Sequence, residues 1–435
     1  MSIYNAMQSG IRGLGAQATK VSKISDNIAN ANTVGYKRTF VDLVTTTSSS
    51  TGATSFPAGV KAVISNDIGK QGAFSSTSSE TDLSIAGSGF FVVAKQPNEP
   101  VESNYMLTRA GSFKPDEDGY LRNSAGFYLH GFRHQEDGTL GMVDRSSFSD
   151  LQAINIKDVS MQSSATTEVS VSGNLPAQET GLVTPGSPFI SSTEYYSPLG
   201  EKQKLSFEWQ PTATDSEWDL TLSDGNGTDY GRVTVTFNDS GPNAGSPAAW
   251  SNVTNLAAAP SNFAFNPATG QATLTIDNGT TPQSFTVDMG APNQYDGMTQ
   301  FAGDYTPQEV SRDGTSAGAL VRTEIEKNGT VLGVFDNGLR KPLYQIPLGD
   351  VRNENGLLVD DGNTYKLSKD AGSFTLKDAN SGDAGAVSAG SLELSNVDIA
   401  QELTGLIETQ RAYSSNAKII TTTDEMLEET TRLKR

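Results

Sequence analysis

His130 and His134 are the only histidines of the 435-residue sequence, and they stand four apart in LHGFRH. On a helix that spacing would put two imidazoles on one face, where they could share a metal ion. Gly131 and the alternating pattern around it predict strand and turn instead, so two surface histidines are expected. DGNGTD, from Asp224 to Asp229, resembles a fragment of a calcium loop. Its spacing fits neither an EF-hand nor a repeated glycine-rich calcium motif, and it reads as a plain turn. GSGFF at 87–91 leads into a strand rather than opening a helix, so it makes no phosphate cradle. Cysteine is absent, which removes thiol catalysis, disulfides and zinc–thiolate sites together. No nucleophile stands beside a base, and an enzyme would have to work with carboxylates alone. The aromatic residues between 150 and 300 sit at strand spacing, which fits core packing better than a sugar platform. The expectation is a protein with no catalytic site, no metal and no cofactor.

Composition narrows the class further. Apolar residues make up 35%, glycine contributes 43 residues and charged residues 19%, a balance that suits strand-rich domains with many turns. The formal charge of -19 opposes binding to nucleic acid or anionic lipid. No run approaches the roughly 18 apolar residues that would span a bilayer, so no membrane insertion is expected. The first 30 residues lack the apolar core and cleavage site of a secretory signal. A cytoplasmic protein, or one exported without a cleaved signal, fits.

The elements that organise the chain lie at its two ends. Ile3, Met7, Ile11, Leu14, Ala18, Val21 and Ile28 fall in one stripe of a helical wheel. Ile399, Leu403, Leu406, Tyr413, Ala417, Ile420 and Leu427 follow a 4-3 heptad step, interrupted by Gln410 and Asp424. Both ends are predicted helices whose apolar seams must meet other helices. Arg12, Lys20, Lys23, Lys37 and Arg38 face only Asp26 over residues 1–40, whereas residues 391–435 carry eight acids against five bases. The simplest reading pairs the two ends and lets these charges set register. Gly10, Gly13 and Gly15 each weaken the first helix by about 1 kcal/mol relative to alanine. Ends that fold only against other copies are therefore expected.

Between the ends, nine of the eleven residues from Thr45 to Ser55 are Ser or Thr, which predicts a linker or irregular extended arm. Short alternating runs then follow, with Asn-Gly turns at 278, 328, 337 and 355. Residues 150–300 hold 16 acids and 4 bases. The expected architecture is mainly β with terminal α-helices and nested, discontinuous domains. Residues 1–40 and 393–435 form a helical coiled-coil inner domain, and 41–81 form the arm. Residues 82–149 and 301–392 form a β domain, with an acidic outer β domain of 150–300 inserted in it.

NIANANTVGYKR, from Asn27 to Arg38, resembles the N-terminal signature of bacterial flagellar axial proteins of the rod and hook. DLSIAGSGFFVV (Asp82 to Val93), LTRAGSFKPDEDGYLRNSAGFYLHG (Leu107 to Gly131) and the C-terminal LELSNVDIAQELTGLIETQRAYSSNAKIITTTDEML (Leu392 to Leu427) are similar to further motifs of that family. Length and GTSAGALVRTEIEKNGTVLGVFDNGLRKPLYQIPL (Gly314 to Leu348) point to its hook branch. Phe335-Asp336-Asn337-Gly338 departs mildly from the Tyr-Ser-Asn-Gly turn usual there. The resemblance implies a homopolymer: a curved, flexible extracellular tube joining rod to filament, transmitting torque and enclosing an export channel. It implies partners in the distal rod protein, the hook cap protein, the hook–filament junction protein and the flagellar type III export apparatus. The signature residues Asn27, Asn30, Asn32 and Gly35 would end the first helix, with the asparagines bonding free backbone groups and Gly35 in a left-handed cap. Tyr36, Lys37 and Arg38 would then reach a neighbouring subunit. A distal-rod protein, a secreted β-rich adhesin or glycan-binding module and a carboxylate-only hydrolase are the alternatives.

Overall fold

The computed structural model describes residues 3–49, 55–277, 279 and 282–433. Strands dominate, and a helix stands at each end: α1, Ile3–Ala29, and α2, Ile399–Leu433. The chain divides into two compact units. The first comprises Met1–Asp158, Arg322–Gly333 and Lys341–Arg435; the second comprises Val159–Val321 and Val334–Arg340.

In the first unit, FFVVA (Phe90–Ala94) is buried at every position. A strand reads as a continuous apolar run when both of its faces are covered. Phe90, Val92 and Ala94 join a core with Ile68, Leu107, Phe132 and Tyr365, while Phe91 meets Phe113 edge-on. This strand pairs with Met106–Thr108, Tyr128–Arg133 and Pro347–Val351, so segments far apart in sequence close around it. Strands flanking the two helices also meet, Phe74–Ser76 with Ser391–Glu393 and Leu83–Ala86 with Ala386–Ala389. The segment expected to be a linker is instead a β-hairpin of β1, Thr39–Ser49, and β2, Ser55–Asn66. Threonine is β-branched and favours a pleated strand, and the hairpin has α1 to pack on. Residues 50–54 of the Ser/Thr tract lie outside the described residues. His130 is a second correction. It is buried in the strand Tyr128–Arg133, its Nδ1 3.0 Å from the Tyr128 carbonyl and its ring against Tyr105. Burial holds its pKa below the ordinary value.

The second unit stacks two sheets. Phe189–Tyr196, Lys202–Pro211, Glu217–Asp224, Asp229–Phe237 and Pro247–Asn255 form a five-stranded antiparallel meander. The other sheet is built on Glu168–Pro176, which pairs in parallel with Gln283–Asp288 and Met298–Phe301 and antiparallel with Thr306–Arg312. Alternate residues point inward, as in Leu205, Phe207 and Trp209, and the aromatic residues of this region pack mainly as core. Trp209 and Trp218 are fully buried, and neither indole N–H finds a partner among the described residues. Trp209→Ala is expected to cost this unit about 3–5 kcal/mol through the cavity it leaves. Trp209→Phe, which also removes the unpartnered donor, should cost clearly less. Urea unfolding followed by circular dichroism compares the two, and equal losses would contradict this account of the core.

Candidate assembly site at the paired chain ends

The two helices pack antiparallel within the first unit. A Cβ on Gly10 would lie 3.1 Å from Ile420, one on Gly13 would lie 2.8 Å from the Asn416 side chain, and one on Gly405 would lie 3.6 Å from Ile24. Asn27 donates to Glu402 at 3.2 Å. Rising numbers on α1 thus meet falling numbers on α2. The buried face of α1 is Gly10, Gly13, Ala16, Ile24 and Asn27; that of α2 includes Glu402, Thr409 and Thr423, seven and fourteen residues apart. Thr409 and Thr423 return their hydroxyls to the carbonyls of Gly405 and Ile419, each at 2.6 Å, so the seam buries no orphaned hydroxyl at these positions. The hairpin covers another side of α1: Arg12 donates to Thr46, and the backbone at Gly59 passes so close that a Cβ there would be 3.3 Å from the Ser9 Cα.

The apolar stripes read from the sequence lie elsewhere. Met7, Leu14, Val21 and Ile28 are half-buried, Ala18 is exposed and Ile11 is 52% exposed. On α2, Leu406, Ala417 and Ile420 are half-buried, and Ile399, Leu403, Tyr413 and Leu427 are exposed, Leu403 by 47%. The side chain of Ile3 lies outside the described set. Small residues therefore dominate the seam within the chain, because they let the helix axes approach; Ile24 and Ile420 reach into it, and most of the larger apolar residues of the stripes stay partly or wholly exposed.

At the root of the pair, the signature folds back onto the chain's own C-terminal motif. Asn30 bonds the Asp26 carbonyl, Asn32 is exposed and Gly35 adopts φ +70°. A side chain at Gly35 would strike the Ala110 backbone at 2.6 Å, so the left-handed conformation and the close approach both call for glycine. The Gly35 N–H donates to the Glu393 carbonyl at 2.8 Å. Asn27 closes the loop by accepting from the Thr39 N–H and the Tyr36 hydroxyl while donating to the Thr39 carbonyl. Contrary to expectation, Lys37 and Arg38 are occupied within this chain. Lys37 Nζ lies 2.5 Å from Glu393 and 2.7 Å from the Lys70 carbonyl, and Arg38 Nε lies 2.5 Å from Glu402. Arg109 reaches the other Glu393 oxygen at 3.2 Å, and the Gly72 N–H donates to the first at 2.9 Å. Asn396 accepts from the Arg38 N–H and donates to the Asp67 and Lys70 carbonyls. Asp398 caps α2, accepting from the N–H groups of Ala400 and Gln401.

Glu393, Lys37 and Arg109 are all essentially fully buried. Burial holds the Lys37 ammonium below its ordinary pKa, against the opposing pull of Glu393. Burial also raises the Tyr36 phenol. Sequence reasoning missed Glu393, Arg109 and Asn396. The available signal was a lone acid, Glu393, between Leu392 and Leu394, since a charge in an apolar run must find a partner if buried. Glu393→Gln leaves two buried cations without their counter-charge and is expected to destabilise the first unit by about 3–5 kcal/mol. Glu402→Gln, whose partner Arg38 keeps a quarter of its side chain in solvent, should cost less. Chemical unfolding of the two variants gives the comparison, and an unchanged midpoint for the Glu393 variant would refute the clamp.

Comparison with known proteins agrees in order along the chain. Residues 7–37 match the flagella basal body rod protein model, and 84–176 match the flagellar hook protein FlgE/F/G D1 domain. Residues 187–315 match the flagellar basal body protein FlaE D2 domain, and 388–433 match the flagellar basal body rod FlgEFG protein C-terminal model. The chain is 34% identical over 437 residues to the flagellar hook protein FlgE of Brucella suis biovar 1 (strain 1330), with all of both chains covered. It is 34% identical over 447 residues to that of Rhizobium meliloti (strain 1021), again with full coverage of both. With the Escherichia coli (strain K12) protein the identity is 30% over 435 residues, covering 97% of this chain and 98% of that one. Full-length similarity to these relatives and four domain models in sequence lead to one conclusion: the chain belongs to the flagellar hook protein FlgE family.

Proposed function

We propose that this structural subunit polymerises into a curved, flexible tube that transmits torque from rod to filament and encloses the export channel. The observation that carries the reading is the position of the apolar stripes. Once α1 and α2 have paired through small residues, Ile11, Leu403 and Tyr413 still face outward. A soluble monomer gains nothing from such stripes, whereas a helical polymer can bury them between copies at roughly 1.5–3 kcal/mol for each large side chain. The assembly interface in this reading comprises the stripes from Ile3 to Ile28 and from Ile399 to Leu427. The terminal helices form the inner layer. The β units form the outer layers, where acidic, weakly adhesive surfaces slide past one another as the tube bends. The distal rod protein, the hook cap protein and the hook–filament junction protein are its neighbours at the two ends of the tube, and delivery is through the flagellar type III export apparatus. The helical ends gain their rigidity from sister copies.

Leu403→Asp tests the reading. The purified variant should keep the circular dichroism of the native monomer yet form no tubes under electron microscopy in conditions where the native chain does. Hydrogen exchange of α1 and α2 in the native chain should slow sharply on polymerisation. Tubes of normal length from the variant, or helices equally protected in the dilute monomer, would exclude it.

A further inference from the structure

We propose that Asn226 is a site of spontaneous, water-dependent deamidation, selected by the fold from among the Asn-Gly pairs at described residues. In this chemistry the backbone nitrogen of the glycine attacks the asparagine side-chain carbon. The new bond joins Gly227 N to Asn226 Cγ, and the bond from Cγ to the side-chain nitrogen breaks. Ammonia departs with the proton lost from the Gly227 N–H. Water then opens the cyclic imide at either carbonyl, leaving aspartate or a β-linked isoaspartate. Ring closure is fastest when the following residue has no Cβ, its N–H can leave its hydrogen bond, and the backbone has room to rotate.

Asn-Gly pairs occur at 226, 278, 328, 337 and 355, and the structure separates those it describes. Asn337 donates to the Gln162 and Ser316 carbonyls and accepts from the Leu339 N–H, so its amide is held away from the Gly338 nitrogen. Asn355 accepts from the N–H groups of Ile68 and Gly69, and a Cβ on Gly356 would lie 2.5 Å from the Asp370 backbone. Asn328 accepts from the Thr330 N–H, its carbonyl accepts from Gln345 at 2.6 Å, and the Gly329 N–H is tied to the Glu326 carbonyl at 2.9 Å. Asn278 lies outside the described residues.

Asn226 differs in its exposure and in how loosely the following glycine is held. It sits exposed in the turn between Glu217–Asp224 and Asp229–Phe237. A Cβ on Gly227 would meet nothing within 4 Å, and the Gly227 N–H makes a long 3.3 Å bond to the Asp224 carbonyl. Among the described residues, the Asn226 amide bonds only within the turn, to the Asp224 carboxylate. Conversion adds a negative charge beside Asp224 and close to Asp229, and the β-linkage lengthens the turn's backbone. Both effects weaken the hairpin end and make an already acidic unit more so.

The test uses the intact purified chain held in warm, mildly alkaline buffer. Trypsin cleavage after Lys204 and Arg232 releases Leu205–Arg232, in which Asn226 is the only asparagine. That peptide should acquire the amide-to-acid mass change and become a substrate for isoaspartyl methyltransferase ahead of those holding Asn328, Asn337 and Asn355. The peptides holding Asn337 and Asn355 should lag by about tenfold or more, the effect of breaking one net hydrogen bond before the ring can close. In urea the three sites should convert at comparable rates. Asn226→Gln, which forces a larger ring, should leave its peptide unmodified. Conversion at Asn337 or Asn355 ahead of Asn226 in the folded chain, or the same order of sites with and without urea, overturns the proposal.

Discussion

One buried carboxylate, that of Glu393, sets the geometry on which the helical end of the molecule depends. It receives Lys37, Arg109 and the Gly72 N–H, and its own carbonyl receives the Gly35 N–H. Four stretches of chain, one of them 356 residues away from Glu393 in sequence, are fixed at a single point. A buried ion pair contributes little net stability, because desolvating the charges offsets most of their attraction. Its value is specificity: misaligning the strands or helices here would strand two cations in an apolar interior. Apolar contacts alone would tolerate a slip of one helical turn. The carboxylate does not.

That fixed root explains how a weak helix pair can be orderly. α1 carries three glycines in its first half, each unfavourable by about 1 kcal/mol, and the seam between α1 and α2 buries small and polar side chains that yield modest apolar area. What the seam lacks in burial, the root supplies in registry. Asn27 joins the two by bonding Glu402 across the helix pair while holding the Thr39 backbone. Helix, signature loop and hairpin are thus positioned together, and Asp398 starts α2 where the root leaves it.

The helices were legible because a stripe at helical spacing survives any tertiary context; of the Asn-Gly pairs, 328 and 337 lie between successive strands, 355 lies in a 3-10 turn and Asn278 is outside the described residues. The strand at FFVVA was legible, but its burial on both faces was not read from it. The left-handed conformation of Gly35 was legible, since few residues other than glycine adopt a positive φ, but its place was not: it stands beyond the end of α1 and bonds Glu393 instead of capping that helix. Which helix face packs within the chain was not legible. The stripe of large apolar residues is the stronger pattern, yet Gly10, Gly13 and Ala16 form the seam, because close approach is a property of two partners. Lys37 and Arg38 read as free to reach outward because their acids lie hundreds of residues away. The Ser/Thr tract read as loose because its composition is polar, but pairing with Ser55–Asn66 and packing on α1 override composition where β-branched threonine meets a ready surface. His130 was misplaced because strand alternation gives two faces and does not say which is inward.

The division of faces on α1 has a thermodynamic direction. A helix meant only to complete its own monomer would turn Ile11, Leu14 and Val21 inward and leave glycine to solvent, since each large aliphatic side chain contributes roughly 1.5–3 kcal/mol when buried. Here Gly10 and Gly13 are inside with Ile24, while Ile11 is outside and Leu14 and Val21 are only half-buried. The monomer forgoes that free energy and keeps only what a thin seam and a charged root provide, so the end of the molecule is ordered in register but poor in cohesion. In the assembly proposed above, the missing cohesion would reside in the outward stripes and would be recovered when an apolar surface of matching helical pitch arrives. A second copy of the same chain carries such a surface by construction.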